Sequence, residues 1–313
     1  MNEIQKQQHN FSYAKYGYLF SIPFFAAFLV FNLYPTIYTV VLGFTDSKGL
    51  GNITFHILRD DPWKNFRAVL NAPTFRTAIK NTFVLWTMNF VPQITLALIL
   101  TAWFTSRRSK IKGQGFFKVV FYMPNIITSA SVAILFNVLF GYPKGPINDL
   151  LVNMGLRDSA FFFMNSGTAT RWIVAFIQFW MWYGYTMIIL VSGVLGINPE
   201  IYEAAEIDGA NERQLFFRIT LPNLRTILTY TLVTSMIGGL SMYDIPKMLN
   251  SGNPNNSTLT ANMFIYNQAF QGSYMYNRAA AASMIMFLII AALSAIVFYM
   301  MREKKGDRRR KRW

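Results

Sequence analysis

The sequence predicts an all-α polytopic membrane protein with six transmembrane helices, and three observations carry that prediction. Charged residues make up 14% of the 313-residue chain, against about 25% in soluble domains. The apolar residues gather in six stretches free of Asp, Glu, Lys and Arg, at 16–44, 81–106, 119–143, 172–199, 226–243 and 279–301. Those stretches run from 18 to 29 residues, and about 20 residues of helix cross a hydrocarbon core of about 30 Å.

Residues 1–15 are a short polar lead-in. The first run is too long for the apolar region of a signal peptide and is followed by no small-residue cleavage site, so it is expected to stay as a span. Pro23 and Pro35 lie within it; such residues are tolerated in membrane helices where neighbours re-satisfy the freed carbonyls. Between the first two runs, Trp63 to Lys80 carries apolar residues at helical spacing, which predicts an amphipathic helix outside the membrane. The triplet Asn52-Ile53-Thr54 spells a glycosylation acceptor, too common a pattern to carry weight.

Runs two to four carry amides and aromatic residues, among them Trp86, Asn89, Gln93, Asn125, Trp182, Tyr183 and Tyr185. Hydrocarbon cannot pair such polar groups, so some of these side chains are expected to face a path through the bundle. Interhelical hydrogen bonds and interfacial aromatic belts are the competing use. The fifth run adds Ser235, Gly238, Gly239, Met242 and Tyr243, where small residues permit either close helix packing or a wider cavity.

Between the fourth and fifth runs lies a polar island. Five of the fourteen acidic residues, Glu200, Glu203, Glu206, Asp208 and Glu212, fall within thirteen positions. Asn198 is placed to cap a helix and Pro199 suits its first turn, while Glu200 and Glu203 complement the positive end of the dipole. Gly209 then permits a bend, and a second helix is predicted from Glu212 to Ile219, with Leu215, Phe216 and Ile219 on one face and Leu221-Pro222 closing the element.

Net charge is +15. Placing both termini in the cytoplasm puts eighteen basic residues on the inner side against eleven on the longer outer segments, which follows the positive-inside rule. The tail Arg308-Arg309-Arg310-Lys311-Arg312 therefore reads as a topology and lipid anchor, with no nucleic acid as partner. There are no cysteines, and the two histidines, His9 and His56, lie outside the runs, so no metal site is expected.

Glu203, Ala204, Ala205, Gly209, Ile219, Leu221 and Pro222 stand at the spacing of a motif: Glu-Ala-Ala, three residues, Gly, nine residues, Ile, one residue, Leu-Pro. This resembles the cytoplasmic loop of permease subunits in binding-protein-dependent ABC importers, in particular the maltose and multiple-sugar type. Asn65-Phe66, Pro73 to Phe75 and Asn81-Thr82 are also similar to that family, as are Ile265-Tyr266 and Ala269-Phe270. Leu249 to Pro254 resembles its Gly-Gly-Pro loop with Asn253 in place of the second glycine, and Asn277-Arg278 replaces its usual Gly-Tyr.

The resemblance implies a type I importer permease fold in a bacterial cell membrane. Its parts would be an N-terminal tail, first helix and loop (1–76), a five-helix core (77–300) with the coupling loop at 198–222, and a basic cytoplasmic tail (301–313). It implies a second homologous permease, two cytoplasmic ATPase chains and an extracellular solute-binding lipoprotein as partners. In the family, positions matching Ser235, Gly238, Gly239 and Met242 face the transported sugar. No cofactor is expected in this chain, because ATP and magnesium would bind the ATPase partners.

The residues alone agree that this is no enzyme: there is no Walker loop, nucleophile elbow or paired intramembrane carboxylate. A proton-coupled carrier would show a titratable residue at mid-membrane, and no run has one. A path without fixed charge suits a neutral polyhydroxy solute, a sugar or oligosaccharide. The alternatives are another solute of the same class of permease, such as a polyol or glycerol phosphodiester, an ATP-independent channel or carrier, and a membrane-embedded glycosyltransferase using Asp60-Asp61 or Glu206 and Asp208.

Overall fold

A computed structural model describes residues 14–50, 55–108, 112–272 and 274–301. The basic tail and the Asn52-Ile53-Thr54 triplet lie outside the described residues. Helix α1 runs from Lys15 to Leu42 and α2 from Lys64 to Asn71. Helix α3, Pro73–Phe104, is followed by α4, Gln114–Tyr122, and α5, Ser129–Leu139. Then come α6, Pro146–Asn153, α7, Gly167–Leu195, and α8, Pro199–Ile207. The chain ends with α9, Arg225–Leu240, α10, Asp244–Asn250, α11, Ala261–Phe270, and α12, Tyr276–Met301.

Four helices among the described residues, α1, α3, α7 and α12, are long and apolar enough to cross a membrane. The six uncharged runs are thus not six straight spans. The third run is broken: α4 ends in a 3-10 turn at Met123–Ile126 and α5 leaves at 90°. Pro124 lacks an N–H and Thr128 caps the new helix by accepting from Ser131 N–H at 3.3 Å, so the chain restarts where the ladder fails. The fifth run yields α9, whose 16 residues extend about 24 Å at about 1.5 Å per residue.

Prolines in α1 do not split it. A π-helical turn at Leu29–Leu33 precedes Pro35, and the chain continues helical on both sides. The C-terminal end of α1 packs against α12, but most of its side chains stay bare, Phe20 at 81% exposure, a surface that calls for lipid or another protein chain. By contrast, α3 and α7 pack along each other and form the centre of the bundle. Gly184 makes the approach of α4 to α7 possible, since a Cβ there would lie 1.9 Å from the Phe121 carbonyl oxygen.

At one end of the bundle, asparagines hold the irregular segments. The Asn65 amide donates to the carbonyls of Gly43 at 2.9 Å and Thr45 at 2.8 Å, and accepts from Asn277 Nδ2 at 3.1 Å. Asn81 Nδ2 donates to Asn256 O at 2.6 Å, and Thr82 Oγ1 accepts from Ala261 N–H at 2.9 Å. Buried backbone groups outside helices need such partners. The helix expected over Trp63 to Lys80 is split at the extended Ala72: its first half is α2, whose Asn65, Phe66 and Val69 face inward, and its second half is the opening of α3, which starts at Pro73.

Candidate coupling loop and transport cavity

At the end of the bundle opposite those asparagines, residues 198–222 form a bent pair of helical segments. Asn198 Oδ1 accepts from Glu200 N–H at 3.1 Å and Pro199 opens α8. The helix ends in a Schellman motif: Gly209 N–H donates to Glu206 O at 3.0 Å and Ala210 N–H to Ala205 O at 2.9 Å. Gly209 supplies the left-handed residue this cap needs, at φ +80°, with nothing within 4 Å of its would-be Cβ. The conformation, and not the space, selects glycine here.

One residue on, Asn211 and Gln214 form a reciprocal capping box, with bonds of 2.8 and 2.9 Å. From there the chain is helical over Glu212–Gln214, π-helical over Leu215–Thr220 and helical again at Leu221–Asn223. Leu221-Pro222 therefore does not close the element. Pro222 sits in the first turn of a continuing helix, where its missing N–H costs nothing, and the chain runs almost unbroken into α9. The two halves are held together by Tyr202, whose hydroxyl lies 2.9 Å from Thr220 Oγ1; that group in turn donates to Leu215 O at 3.1 Å.

Of the motif residues, Glu203 and Ala204 lie on the exposed face of α8 and Ala205 is half-buried. Ile219 is half-buried, and Leu215 is buried beneath the bend. Ile207 stands out at 87% exposure. The acids are not all free: Glu206 lies 3.2 Å and Glu203 3.6 Å from Arg107. Asp61, at the other end, pairs with Arg67. The carboxylates considered for catalysis thus include two with basic partners.

Between α3, α7 and α9 lies a cavity of about 510 Å³, within the range of about 300–1,000 Å³ usual for small-molecule sites. Asn89, Gln93, Trp182 and Tyr185 line it, together with Ser235, Gly239, Met242 and Tyr243. Gln93 Nε2 donates to Thr186 Oγ1 at 2.8 Å, which orients the amide across the α3–α7 seam. Thr231 is 3% exposed and its hydroxyl has no partner among the described residues, so the wall holds a polar group open to a solute. Among the described residues the lining includes one carboxylate, Asp244, and no Lys or Arg.

Three of the expected path residues are placed elsewhere. Tyr183 is buried against Phe121 and Phe179, and Asn125 donates to Met181 O at 3.2 Å. Trp86 stacks on Phe90 and fills the space beside Gly239, where a Cβ would come within 2.1 Å of the indole. The two glycines divide the alternatives between them, for Gly239 permits packing and Gly238 has nothing within 4 Å and opens the cavity. Sequence reasoning missed Tyr230, Thr231 and Thr234. With Ser235 and Gly238 they form a stripe at i, i+1, i+4, i+5 and i+8, a helical periodicity that would have found them.

The family described as "Binding-protein-dependent transport system inner membrane component" matches residues 81–305. The chain belongs to this family. Among its relatives, the lactose transport system permease protein LacF of Rhizobium radiobacter is 31% identical over 268 residues, 84% of this chain and 86% of that protein. The arabinooligosaccharides transport system permease protein AraP of Bacillus subtilis is 32% identical over 267 residues, 84% of this chain and 81% of that one. A bacterial alginate ABC transporter, solved in complex with an alginate pentasaccharide-bound periplasmic protein, shares the fold of this inner membrane component. Its TM-score is 0.77, at 23% identity over 92% of this chain and 94% of that one.

Proposed function

We propose that this chain is one membrane-spanning subunit of an ATP-driven importer that moves a neutral sugar or oligosaccharide delivered by an extracellular binding protein. The observation that carries the reading is the pairing of an amide- and hydroxyl-lined cavity at the α3–α7–α9 junction with a rigidly capped loop at the end of the same helices. Hydroxyl-rich solutes suit such a wall: amides pair their OH groups, and Trp182 and Tyr185 offer aromatic faces to their C–H groups. The sugar named in LacF, AraP and their kin points the same way.

In this reading six spans are completed by the bent α4–α5 pair and by α9 with its helical lead-in from 212. Both termini lie in the cytoplasm, together with the coupling loop 198–222. Glu203, Ala204, Ala205 and exposed Ile207 meet a cleft of a cytoplasmic ATPase, and Ile219, Leu221 and Pro222 carry the bend into α9. ATP and magnesium bind the two ATPase chains, and a second permease completes the path. The core domain is 77–300, flanked by 1–76 and the basic tail 301–313.

Reconstitution tests this directly. With partner permease, ATPases and binding protein in proteoliposomes, uptake of a labelled neutral oligosaccharide should require ATP on the loop side. Uptake by this chain alone, unaffected by ATP, would overturn the reading in favour of a channel or carrier.

A further inference from the structure

The loop leaving α3 carries Arg107 and Arg108, and both reach residues 198–222 across about a hundred positions of sequence. The Arg107 guanidinium lies 3.2 Å from Glu206 and 3.6 Å from Glu203, donates to Pro199 O at 3.5 Å, and sits over the Tyr202 ring at 5.7 Å from its centre. Arg108 takes the second half of the segment: its backbone N–H donates to Glu212 Oε1 at 2.9 Å and its guanidinium to Ala210 O at 3.3 Å. Two consecutive residues thus grip both sides of the Gly209 bend.

We propose that Arg107 is a positioning residue, the strut through which the coupling segment and α3 move as one body. Covalent connection already links the segment to α7 and α9, but α3 is joined to it only across space. Asn89 and Gln93, on α3, form part of the cavity wall; α3 also packs along α7, and the strut adds a second, direct link from the loop to that wall. Each contact alone is weak, because Arg107 is 35% exposed and water screens it. Four contacts on one planar group, all from α8, fix its direction. The inference rests on the docking reading of the loop and adds a route by which its motion reaches the solute.

The chain has no cysteine, so spin labels can be set at Trp103→Cys on α3 and Ile201→Cys on α8 in the assembled complex. The wild-type background should give one narrow distance, unchanged by ATP with vanadate. Arg107→Glu should broaden or split it, and Arg107→Glu with Glu206→Arg should restore it. Uptake per ATP hydrolysed should fall at least fivefold in the single variant and recover in the pair. Arg107→Gln, which adds no repulsion, should give an intermediate distance distribution should the reversal fail to assemble. A narrow distance in Arg107→Glu or Arg107→Gln, or no recovery in the charge-swapped pair, would overturn the strut. Loss of the ATPase from the wild-type complex would instead sink the docking reading, while the distance within this chain still reports on the strut.

Discussion

The capped segment 198–214 and the cavity are built by opposite means. Residues 198–214 are shaped by contacts within a few positions of sequence, an N-cap, a Schellman turn and a capping box, each closing its own orphan backbone groups. The cavity exists only because α3, α7 and α9 are held apart and together by long-range packing, with Gly184 and Gly239 admitting the close approaches. One element therefore takes its backbone shape from local chemistry, with Arg107 and Arg108 fixing it to the rest of the bundle. The other is specified by the bundle, and its one local signature is the hydroxyl-bearing stripe of α9.

That contrast is broken most severely at Gly184. Gly184→Val would drive a side chain into the Phe121 carbonyl, a fixed backbone atom, and should destabilise the purified complex by about 3 kcal/mol, the upper end of overpacking costs. Thermal unfolding in detergent measures it, and an unchanged midpoint would show that the α4–α7 contact does not hold the cavity. Next come the paired substitutions Gly239→Leu and Gly238→Leu. The first collides with Trp86 and should cost about 1–3 kcal/mol. The second meets nothing within 4 Å and should leave the unfolding midpoint near wild type while lowering uptake at least tenfold by filling the cavity.

Local chemistry is tested at Gly209. Gly209→Val keeps its surroundings but forces a branched residue to φ +80°, at about 1–2 kcal/mol, so the chain should insert normally while ATP hydrolysis and uptake come apart. Normal uptake per ATP would count against a mechanical role for the bend. Asn211→Ala should lose about 1 kcal/mol with the capping box and reduce coupling less than Gly209→Val. Smallest in stability is Thr231→Val, near-isosteric at a hydroxyl without a partner. It should shift unfolding by less than about 0.5 kcal/mol yet raise the half-saturating solute concentration; an unaltered transport curve would remove Thr231 from the path.

The same contrast explains what was legible in the sequence. Asn198, Pro199 and Gly209 fell where predicted because caps are made from neighbours in sequence. The six uncharged runs were legible as apolar, but their geometry was not. The 90° break after Ile126 and the passage of Pro222 into a continuing helix depend on which orphan groups find partners, and prolines mark both outcomes alike. Aromatic side chains serve packing and binding equally well, so the sequence leaves both uses open for Trp86 and Tyr183; in the fold Trp86 lies against Gly239 and Tyr183 against Phe121 and Phe179. The hydroxyl stripe on α9 is readable by its helical period.

Control of the cavity by the capped loop at the end of its helices is open to a direct accessibility test. Ser235→Cys places the only thiol of the chain in the cavity wall, and its reaction with a membrane-impermeant maleimide can be followed from either side in the assembled transporter. Labelling should come from the loop side without nucleotide and from the opposite side when ATP and vanadate trap the ATPases, and Gly209→Val should lose that switch. Labelling from the same side in both states, or a switch that survives Gly209→Val unchanged, would contradict that control.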